Sequence, residues 1–394
     1  MNEKMNVMPV EEDHLKKEEK KYKDFIYQLL EKMKKEGGSD LFLIVGFPPA
    51  FKINGELHPL TNLNNLTPEQ VLSFAVVTMS PKQRKEFATN SECNYAISLE
   101  KVGRFRVNAY KQRGSVSLVI RLINTDIPNL EDLKVPSQLK EIVMQKRGLV
   151  IVVGATGSGK STTLAAMIGH RNKNSAGHII TIEDPIEFVH KHEKSIVSQR
   201  EVGVDTENWE IALKNTLRQA PDVILIGEVR DRETMEHAIA FSETGHLCLA
   251  TLHANNANQA LDRIINFFPE DRKQQLLMDL SLNLKAIVSQ RLIPAIQGGR
   301  VPAVEILLNT SYISDLIKKA EIDTIKDSMK NNKNIGMQTF DQALFDLYEN
   351  EMITLDDAIR NSDSPNDLSI SIRLNSKLSS PDNKMVEELK LSKK

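Results

Sequence analysis

The chain has 394 residues, of which 40% are hydrophobic and 26% charged, a composition typical of a soluble globular protein with two domains. Its formal net charge of −2 gives no overall reason to bind nucleic acid, so we expect no nucleic-acid partner. Uncharged apolar runs stay well below the roughly 20 residues that span a bilayer, the N-terminus lacks the apolar core of a signal peptide, and two cysteines cannot form a four-ligand zinc site, so the expected location is the cytoplasm.

The N-terminal segment predicts a charged start followed by one helix. Residues 1–20 are polar and mostly charged, which predicts a flexible terminus. Apolar residues recur at helical spacing between residues 15 and 33. Gly37-Gly38 marks the expected end of that helix, because glycine accepts the left-handed conformation.

A strand-rich stretch follows and predicts a small α+β domain. Asn54-Gly55 lies between two apolar runs and predicts a β-hairpin, because both residues tolerate positive φ. Apolar residues then alternate with polar ones between residues 95 and 122, which predicts antiparallel strands with one buried face. We therefore expect the first domain to cover residues 21–123.

The second half of the chain changes to strands that alternate with helices. Residues 124–138 contain two prolines and predict a linker. The runs GLVIVV, HIITI, VILIG and LCLATLH are short and apolar, as buried parallel strands require. They predict a doubly wound sheet in a domain over residues 139–361, with helices dominating after residue 269. The polar residues 362–394 predict a flexible tail.

A complete G-x-x-x-x-G-K-[ST] pattern directly follows GLVIVV and predicts a nucleotide site. Glycines let backbone N–H groups converge on phosphate oxygens, while the lysine neutralises phosphate charge and the serine hydroxyl binds Mg²⁺. The alternative is a glycine-rich turn without a ligand. Such a turn seldom lies both directly after a buried strand and directly before a helix. The predicted phosphate-binding residues are Gly154, Thr156, Gly157, Ser158, Gly159, Lys160, Ser161 and Thr162.

Acidic residues follow two of the other predicted strands. Glu183 comes just after HIITI, at the edge that faces bound phosphates, where a carboxylate can hold Mg²⁺ or polarise a nucleophile. The alternative is an ordinary Asp-Pro loop. Glu228 ends VILIGE, where a carboxylate can deprotonate the water that attacks the γ-phosphate. The alternative is a glutamate that only ends a strand.

Two histidines bracket the run LCLATL. His246 precedes it and His253 follows it. Their spacing matches no metal site, and a lone histidine is more often structural than catalytic. The second possibility is that they sense the γ-phosphate by a hydrogen bond.

Basic residues lie on the predicted strands and turn of the first domain. Arg106 and Arg121 alternate with apolar residues, and Arg113 lies in the turn between them. The simplest interpretation is a solvated basic face. The competing one is that an arginine reaches the nucleotide of its own or a neighbouring subunit and stabilises transition-state charge.

Four motifs in order resemble the secretion superfamily of traffic ATPases. GATGSGKSTT is similar to its Walker A motif, TIEDPIEF to its Asp box, PDVILIGEVRD to its Walker B motif and GHLCLATLHAN to its His box. The resemblance runs from about residue 24 to residue 365. GGSDLFLIVG, RFRVNAY, SLNLKAIVSQRLIP and GMQTFDQAL resemble the type IV pilus retraction ATPases of the PilT/PilU family. Residues 312–319 depart from the AIRNLIRE-type helix of PilT-like members, and the extended tail looks like the PilU branch.

The resemblance implies a fold, a ligand set and roles for individual residues. The implied fold class is α/β, with a PAS-like N-terminal domain followed by a RecA-like P-loop ATPase domain with C-terminal helices. Lys160 and Ser161 would bind ATP and Mg²⁺, and Glu183 would hold Mg²⁺ directly or through water. Glu228 would be the catalytic glutamate. His246 and His253 would be His-box residues, and the three arginines named above would contact phosphate.

It also implies an assembly and partners. These are a homo-oligomeric ring hexamer, a PilT-like retraction ATPase and an inner-membrane pilus platform protein at the cytoplasmic base of the pilus. The expected function is an accessory retraction motor for twitching motility. A regulatory ring subunit with little turnover is the main alternative. An extension motor is another alternative, but such proteins usually have a four-cysteine metal module and a longer N-terminal region, which are not found in this sequence. A nucleic-acid translocase is a third alternative, and the near-neutral net charge argues against it.

Overall fold

The computed structural model describes residues 10–100, 102–123 and 126–378, with side chains from residue 19 onward. Contacts between Cα atoms divide the chain into two compact units at Thr125 and Asp126, with Gly203–Asp205 joining the first unit. Residues 126–138, predicted as a linker, belong to the second unit, where Leu130 is buried in the core. An apolar side chain thus packs this segment against the second unit, and its role as the interdomain linker stays a prediction.

The described part of the first unit forms one antiparallel sheet with three helices. The strand order is β3-β2-β1-β6-β5-β4. The strands are β1 Gly38–Ile44, β2 Ala50–Ile53, β3 Glu56–Pro59, β4 Glu92–Leu99, β5 Gly103–Gln112 and β6 Ser115–Ile123. The helices are α1 Val10–Lys35, α2 Pro68–Thr78 and α3 Pro81–Asn90.

Local sequence explains the turns of the first unit. The predicted hairpin is confirmed between β2 and β3, where Asn54 and Gly55 have φ of 52° and 88°. Gly37 follows α1 with φ of 72°, as expected of a residue that ends a helix. Helix α1 begins at Val10 and so includes residues 10–20 of the predicted flexible terminus, whose flexibility stays a prediction. Residues 1–9 lie outside the described residues.

The described part of the second unit forms a mostly parallel sheet with helices around it. The strand order is β13-β12-β7-β11-β10-β8-β9, and only the pairing of β12 with β13 is antiparallel among these strands. The strands are β7 Gly148–Val153, β8 Gly177–Glu183, β9 Ser195–Glu201, β10 Val223–Ile226, β11 Leu247–Leu252, β12 Leu284–Pro294 and β13 Arg300–Leu308. The helices are α4 Gln138–Val143, α5 Lys160–Asn174, α6 Trp209–Thr216, α7 Arg232–Glu243, α8 Ala257–Asn266, α9 Glu270–Asn283, α10 Ser311–Lys318, α11 Ile322–Asn331, α12 Phe340–Glu349, α13 Leu355–Asn361 and α14 Pro365–Asn375.

Strands β7, β10 and β11 are buried along their whole length, because helices cover both faces of the sheet. Their side chains alternate between two hydrophobic cores, one on each face. Since β7, β8, β10 and β11 are parallel, their carboxyl ends meet at one edge, which we call the carboxyl edge.

The C-terminal part differs from prediction in two places. Residues 269–360 were expected to be mainly helical, yet β12 and β13 extend the sheet there, because their apolar runs pair with β7 and with each other. Helix α14 lies inside the predicted flexible tail. Its Leu368 and Ile372 are buried in a small hydrophobic core with residues of α12 and α13, and this burial explains why the segment forms a helix. The tail beyond residue 378 lies outside the described residues.

Across the described residues, no helix combines the length and apolar character needed to cross a membrane.

Candidate nucleotide-binding and catalytic site

The predicted phosphate-binding loop connects β7 to α5. Gly157 and Gly159 have φ of 78° and 87°, a backbone conformation that favours glycine. Lys160 begins α5, and its Nζ donates to the carbonyl oxygens of Gly154 at 2.6 Å and Ala155 at 3.0 Å. Burial lowers the pKa of Lys160. The ammonium group therefore lies in the curve of its own loop, partly removed from water.

Gln290 on β12 packs against this loop. A Cβ on Gly154 would lie 2.6 Å from the Gln290 carbonyl oxygen, and one on Gly159 would lie 2.7 Å from Gln290 Nε2. Thr163 Oγ1 on α5 donates to Gln290 Oε1 at 2.8 Å. Close packing against Gln290 thus requires glycine at both positions. The sequence offered no signal for Gln290, because β12 itself was not predicted.

A cavity of about 200 Å³ opens where the loop meets the carboxyl edge. It brings together residues from the loop, the Asp box, the Walker B strand and the His box. The lining residues are Thr156, Gly157, Lys160, Ser161, Glu183, Asp184, Pro185, Glu187, Trp209, Gly227, Glu228, Thr251 and His253. Motifs that are nearly 100 residues apart in sequence thus share one small space.

Both carboxylate oxygens of Glu228 have partners. His253 Nε2 lies 3.0 Å from Oε1, and Arg230 Nε donates to Oε2 at 2.5 Å. Arg230 also lies 3.7 Å from Asp184, so it bridges two acidic residues. The hydrogen bond to Glu228 raises the pKa of Arg230. The structure therefore brings together Glu228 and His253, two of the predicted catalytic residues.

Glu183 ends β8 beside these groups. Burial raises its pKa, and hydrogen bonds from Thr181 and Gln199 oppose that shift. Thr181 Oγ1 donates to Glu183 Oε1 at 2.6 Å, and Gln199 Nε2 donates to the same oxygen at 3.1 Å. The carboxylate is therefore oriented from β8 and β9.

Thr162 lies on the other side of the loop. With Gly159 and Thr163 it lines a second cavity of about 560 Å³, which extends between Leu292 and Met352. The phosphate-binding loop thus separates a small acidic cavity from a larger one with apolar walls.

Two groups of predicted residues lie elsewhere. His246 precedes β11, and its Nδ1 lies 3.0 Å from Thr244 Oγ1 and 3.2 Å from the Phe241 carbonyl oxygen. The six residues of β11 separate it from His253 by on the order of 20 Å. His246 therefore does not line this cavity, because it lies at the amino end of its strand, and its catalytic role stays a prediction.

The three predicted phosphate-contacting arginines belong to the first unit. Arg106 on β5 is paired with Arg121 on β6, and Arg113 lies in their hairpin turn with φ of 48°. Arg121 Nε donates to Asp40 Oδ1 at 2.7 Å, and Asp40 is 3% exposed. A role for these arginines at the nucleotide stays a prediction.

Sequence reasoning also missed several residues that line or shape the site. Arg230 stands two positions after Glu228 but was interpreted only as part of a motif. Trp209 is the only tryptophan of the chain, and nothing in its sequence context indicated a cavity. The hydroxyl of Thr251 donates to the Gly227 carbonyl oxygen and so connects β11 to the end of β10.

Comparison with known proteins places this site in a family. The family model described as Type II/IV secretion system protein matches residues 16–323. The chain belongs to this family. The chain is 60% identical over 350 residues to the type IV pilus ATPase PilU of Pseudomonas aeruginosa. The aligned residues cover 89% of this chain and 91% of PilU.

A further relative and a solved structure support the assignment. PilT, the type IV pilus retraction ATPase of Pseudomonas aeruginosa, is 40% identical over 333 residues, which cover 84% of this chain and 96% of PilT. A crystal structure of the pilus retraction motor PilT with bound ADP matches with a TM-score of 0.81 at 43% identity, covering 86% of this chain and 98% of that chain. The predicted resemblance to the PilT/PilU ATPases and the predicted α/β fold class, an N-terminal domain before a RecA-like ATPase domain, are thereby confirmed.

Proposed function

We propose that this chain is an ATP-hydrolysing motor that works as a ring hexamer and powers type IV pilus retraction as an accessory to a PilT-like ATPase. The observation that carries the proposal is the cavity that gathers Lys160, Ser161, Glu183, Glu228 and His253 at the carboxyl edge. The 60% identity to PilU and the ADP bound in the related PilT structure support it.

The phosphate-binding loop fits a nucleotide. Lys160 now donates to two backbone carbonyl oxygens, which phosphate oxygens would replace with a stronger, charge-assisted contact. Ser158 Oγ is buried and has no hydrogen-bond partner among the described residues, so it is available to a ligand. The N-terminal N–H groups of α5 lie beside the same loop and favour an anion.

The acidic cavity fits Mg²⁺. Ser161 and Glu183 line it, and hydroxyl and carboxylate oxygens are the ligands that Mg²⁺ prefers. We assign Ser161 as a direct ligand and Glu183 as a ligand, directly or through water. When bound, Mg²⁺ neutralises charge on the β- and γ-phosphates.

Glu228 is the proposed general base. Its carboxylate takes a proton from the water that attacks the γ-phosphorus, and the bond from that phosphorus to the ADP oxygen breaks. His253 orients the carboxylate through the 3.0 Å contact and senses the γ-phosphate. Arg230 must release Glu228 Oε2 before this oxygen can accept a proton from water.

The larger cavity accommodates the nucleoside. Its volume of about 560 Å³ lies in the range of small-molecule sites, and it begins at Gly159 and Thr162, where the phosphate-binding loop ends. Leu292 and Met352 supply apolar walls that a purine ring can contact.

Motion and partners complete the proposal. Residues 21–123 form the N-terminal domain and residues 139–361 the ATPase domain, with the segment 124–138 as the hinge that converts phosphate release into domain rotation. Arg106, Arg113 and Arg121 contact phosphate in the assembled ring. The ring acts on an inner-membrane platform protein from the cytoplasmic side, at the base of the pilus.

A second candidate function rests on one observation. Both oxygens of Glu228 are occupied, one by His253 and one by Arg230. A ring subunit held in this state would bind nucleotide and regulate a partner, with little turnover of its own.

ATP hydrolysis by the purified full-length protein, measured across its oligomeric range, separates these functions. We expect turnover that rises with ring formation, is lost in Lys160→Ala together with nucleotide binding, and falls about 10²–10⁴-fold in Glu228→Gln with binding retained. Glu56→Gln, which removes an exposed glutamate on β3, is the matched control and should keep full activity. A well-formed ring that binds nucleotide without turnover would contradict the motor and support the regulatory subunit.

A further inference from the structure

Hydrogen bonds connect the loop after His253 to β12 and to Asp363, which lies between α13 and α14. Arg291 Nη2 on β12 donates to the Asn255 carbonyl oxygen at 3.2 Å. Asn256 Nδ2 donates to Asp363 Oδ2 at 3.4 Å. Arg263 Nη1 on α8 donates to the carbonyl oxygen of His253 itself at 2.9 Å. Three of the four positions from His253 to Asn256 are therefore held by residues outside the loop.

Asp363 is the centre of this attachment. It lies between α13 and α14, and its side chain is 8% exposed. Arg291 Nη2 donates to its Oδ1 at 2.6 Å, and Lys326 Nζ on α11 to its Oδ2 at 2.8 Å. Burial alone would raise the pKa of Asp363, but the two cations hold it below its ordinary value. The carboxylate is thus a buried, doubly paired anion.

Arg291 is held in several directions at once. Its guanidinium carbon lies 3.9 Å from the centre of the Phe340 ring on α12, and Nη1 donates to the Asn361 carbonyl oxygen at the end of α13 at 2.6 Å. One planar guanidinium therefore joins the loop after His253 to α12, α13 and Asp363. A continuous path of contacts runs from Glu228 through His253 and this loop to the C-terminal helices.

We propose that Asp363 is a positioning residue that acts through Arg291 and Asn256 on His253. The C-terminal helices α13 and α14 set the position of His253 against Glu228, and a nucleotide at the site changes the exposure of these helices in return. This reciprocity is required of any coupling between two sites. The inference rests on the proposed nucleotide site and adds a communication path that ends at helices remote from the phosphate-binding loop.

Hydrogen–deuterium exchange of the full-length protein tests this coupling. Exchange in α13 and α14 is measured without nucleotide, with Mg²⁺ and ADP, and with Mg²⁺ and a non-hydrolysable ATP analogue. We expect the exchange rate in these helices to differ between the three states. In Asp363→Asn this difference should disappear, while nucleotide still protects α5.

Steady-state kinetics supplies a second measurement. Asp363→Asn should lower kcat by about three- to thirtyfold with KM changed less than about twofold, because the defect lies in the position of His253 and leaves nucleotide binding intact. Arg291→Lys keeps the positive charge but loses the planar fork, and should lower kcat in the same way. It also serves as the second variant if Asp363→Asn does not fold.

A matched control pairs α12 with the turn that follows α11. Lys333 Nζ and Asp346 Oδ2 form an ion pair at 2.7 Å on the C-terminal surface, away from the loop, with side chains 52% and 44% exposed. Asp346→Asn should leave both kcat and the nucleotide-dependent exchange unchanged. Melting temperatures of all variants separate a loss of stability from a loss of coupling.

Three outcomes would overturn the inference. Nucleotide-dependent exchange in α13 and α14 that persists in Asp363→Asn would show that coupling does not pass through this residue. Exchange in these helices that ignores nucleotide, while α5 is protected, would refute the coupling and leave the nucleotide site standing. Absence of protection in α5 would refute both the inference and the proposed function.

Discussion

The two ends of β11 each carry a histidine, and the two histidines have different surroundings. His246, at the amino end, contacts Thr244 and the Phe241 carbonyl within its own turn. His253, at the carboxyl end, contacts Glu228 from another strand and lines the acidic cavity. Residue type is the same at both ends, so strand direction decides which histidine meets the phosphate-binding loop.

The same contrast holds along the whole sheet. At the opposite, amino edge of the sheet, polar groups mainly satisfy the hydrogen bonds of the backbone. Asp222 Oδ2 accepts the N–H of His178 at 2.7 Å, and Gly148 N donates to the His246 carbonyl oxygen at 3.0 Å. At the carboxyl edge, side chains from three strands and a loop converge on one cavity. We therefore expect substitutions at the carboxyl edge to change turnover and those at the amino edge to change stability.

The pair of histidines gives the strongest test of this contrast. His253→Gln should lower kcat by about 10²–10³-fold, because it removes the group that we propose orients the general base and contacts the γ-phosphate. His246→Gln should change kcat by less than about twofold. Parallel ATPase measurements at saturating ATP check both. A large loss in His246→Gln would mean that the amino end of β11 also belongs to an active site, formed in the assembled ring.

Glu305 on β13 sharpens the contrast, because it is a buried carboxylate that does not line the acidic cavity. Its Oε1 accepts from Ala257 N at 2.8 Å and Ser289 Oγ at 3.0 Å. Burial raises the pKa of Glu305 from 4.5 to about 7. Between these two pH values, Glu305 is therefore still protonated in the folded protein but has lost its proton in the unfolded chain. Stability from this group is therefore present below pH 4.5 and is lost as the pH rises towards 7.

Glu305→Gln removes that titration. The free energy of unfolding of the variant, relative to the parent, should rise by roughly 2 kcal/mol between pH 5 and pH 8. Chemical denaturation at both pH values measures it. Equal differences at the two pH values would mean that Glu305 has an ordinary pKa in the folded protein.

A pair of carboxylate-to-amide changes gives the smallest expected effects. Glu183→Gln at the carboxyl edge should weaken apparent Mg²⁺ affinity in the ATPase assay by about tenfold, because a charged oxygen ligand is lost. Asp222→Asn at the amino edge should leave Mg²⁺ affinity unchanged and lower stability by up to about 1 kcal/mol, through its bond to the His178 N–H. A reversed pattern would show that the two edges do not divide chemistry from stability.

Local chemistry was sufficient to predict the turns and the buried strands. Asn54-Gly55 predicted the β2–β3 hairpin because positive φ is a property of the two residues themselves. GLVIVV predicted β7 because a short apolar run bounded by glycine suits a strand buried on both faces. Strands β12 and β13 were missed, because their apolar residues gain a strand conformation by pairing with β7 and with each other. Helix α14 was missed because only two of its residues, Leu368 and Ile372, are buried.

Sequence by itself determined the position of the glycine-rich loop between β7 and α5 and the order of the four motifs, because loop geometry depends on glycines and a lysine at fixed spacing. Tertiary structure alone decided which distant groups meet there. Gln290 presses on the loop from β12, Arg230 bridges Glu228 to the Asp box, and Asp363 holds the loop after His253. Apart from the contact between Arg230 and Glu228, each of these contacts joins elements far apart in the chain, and only the packing of strands and helices sets their distances.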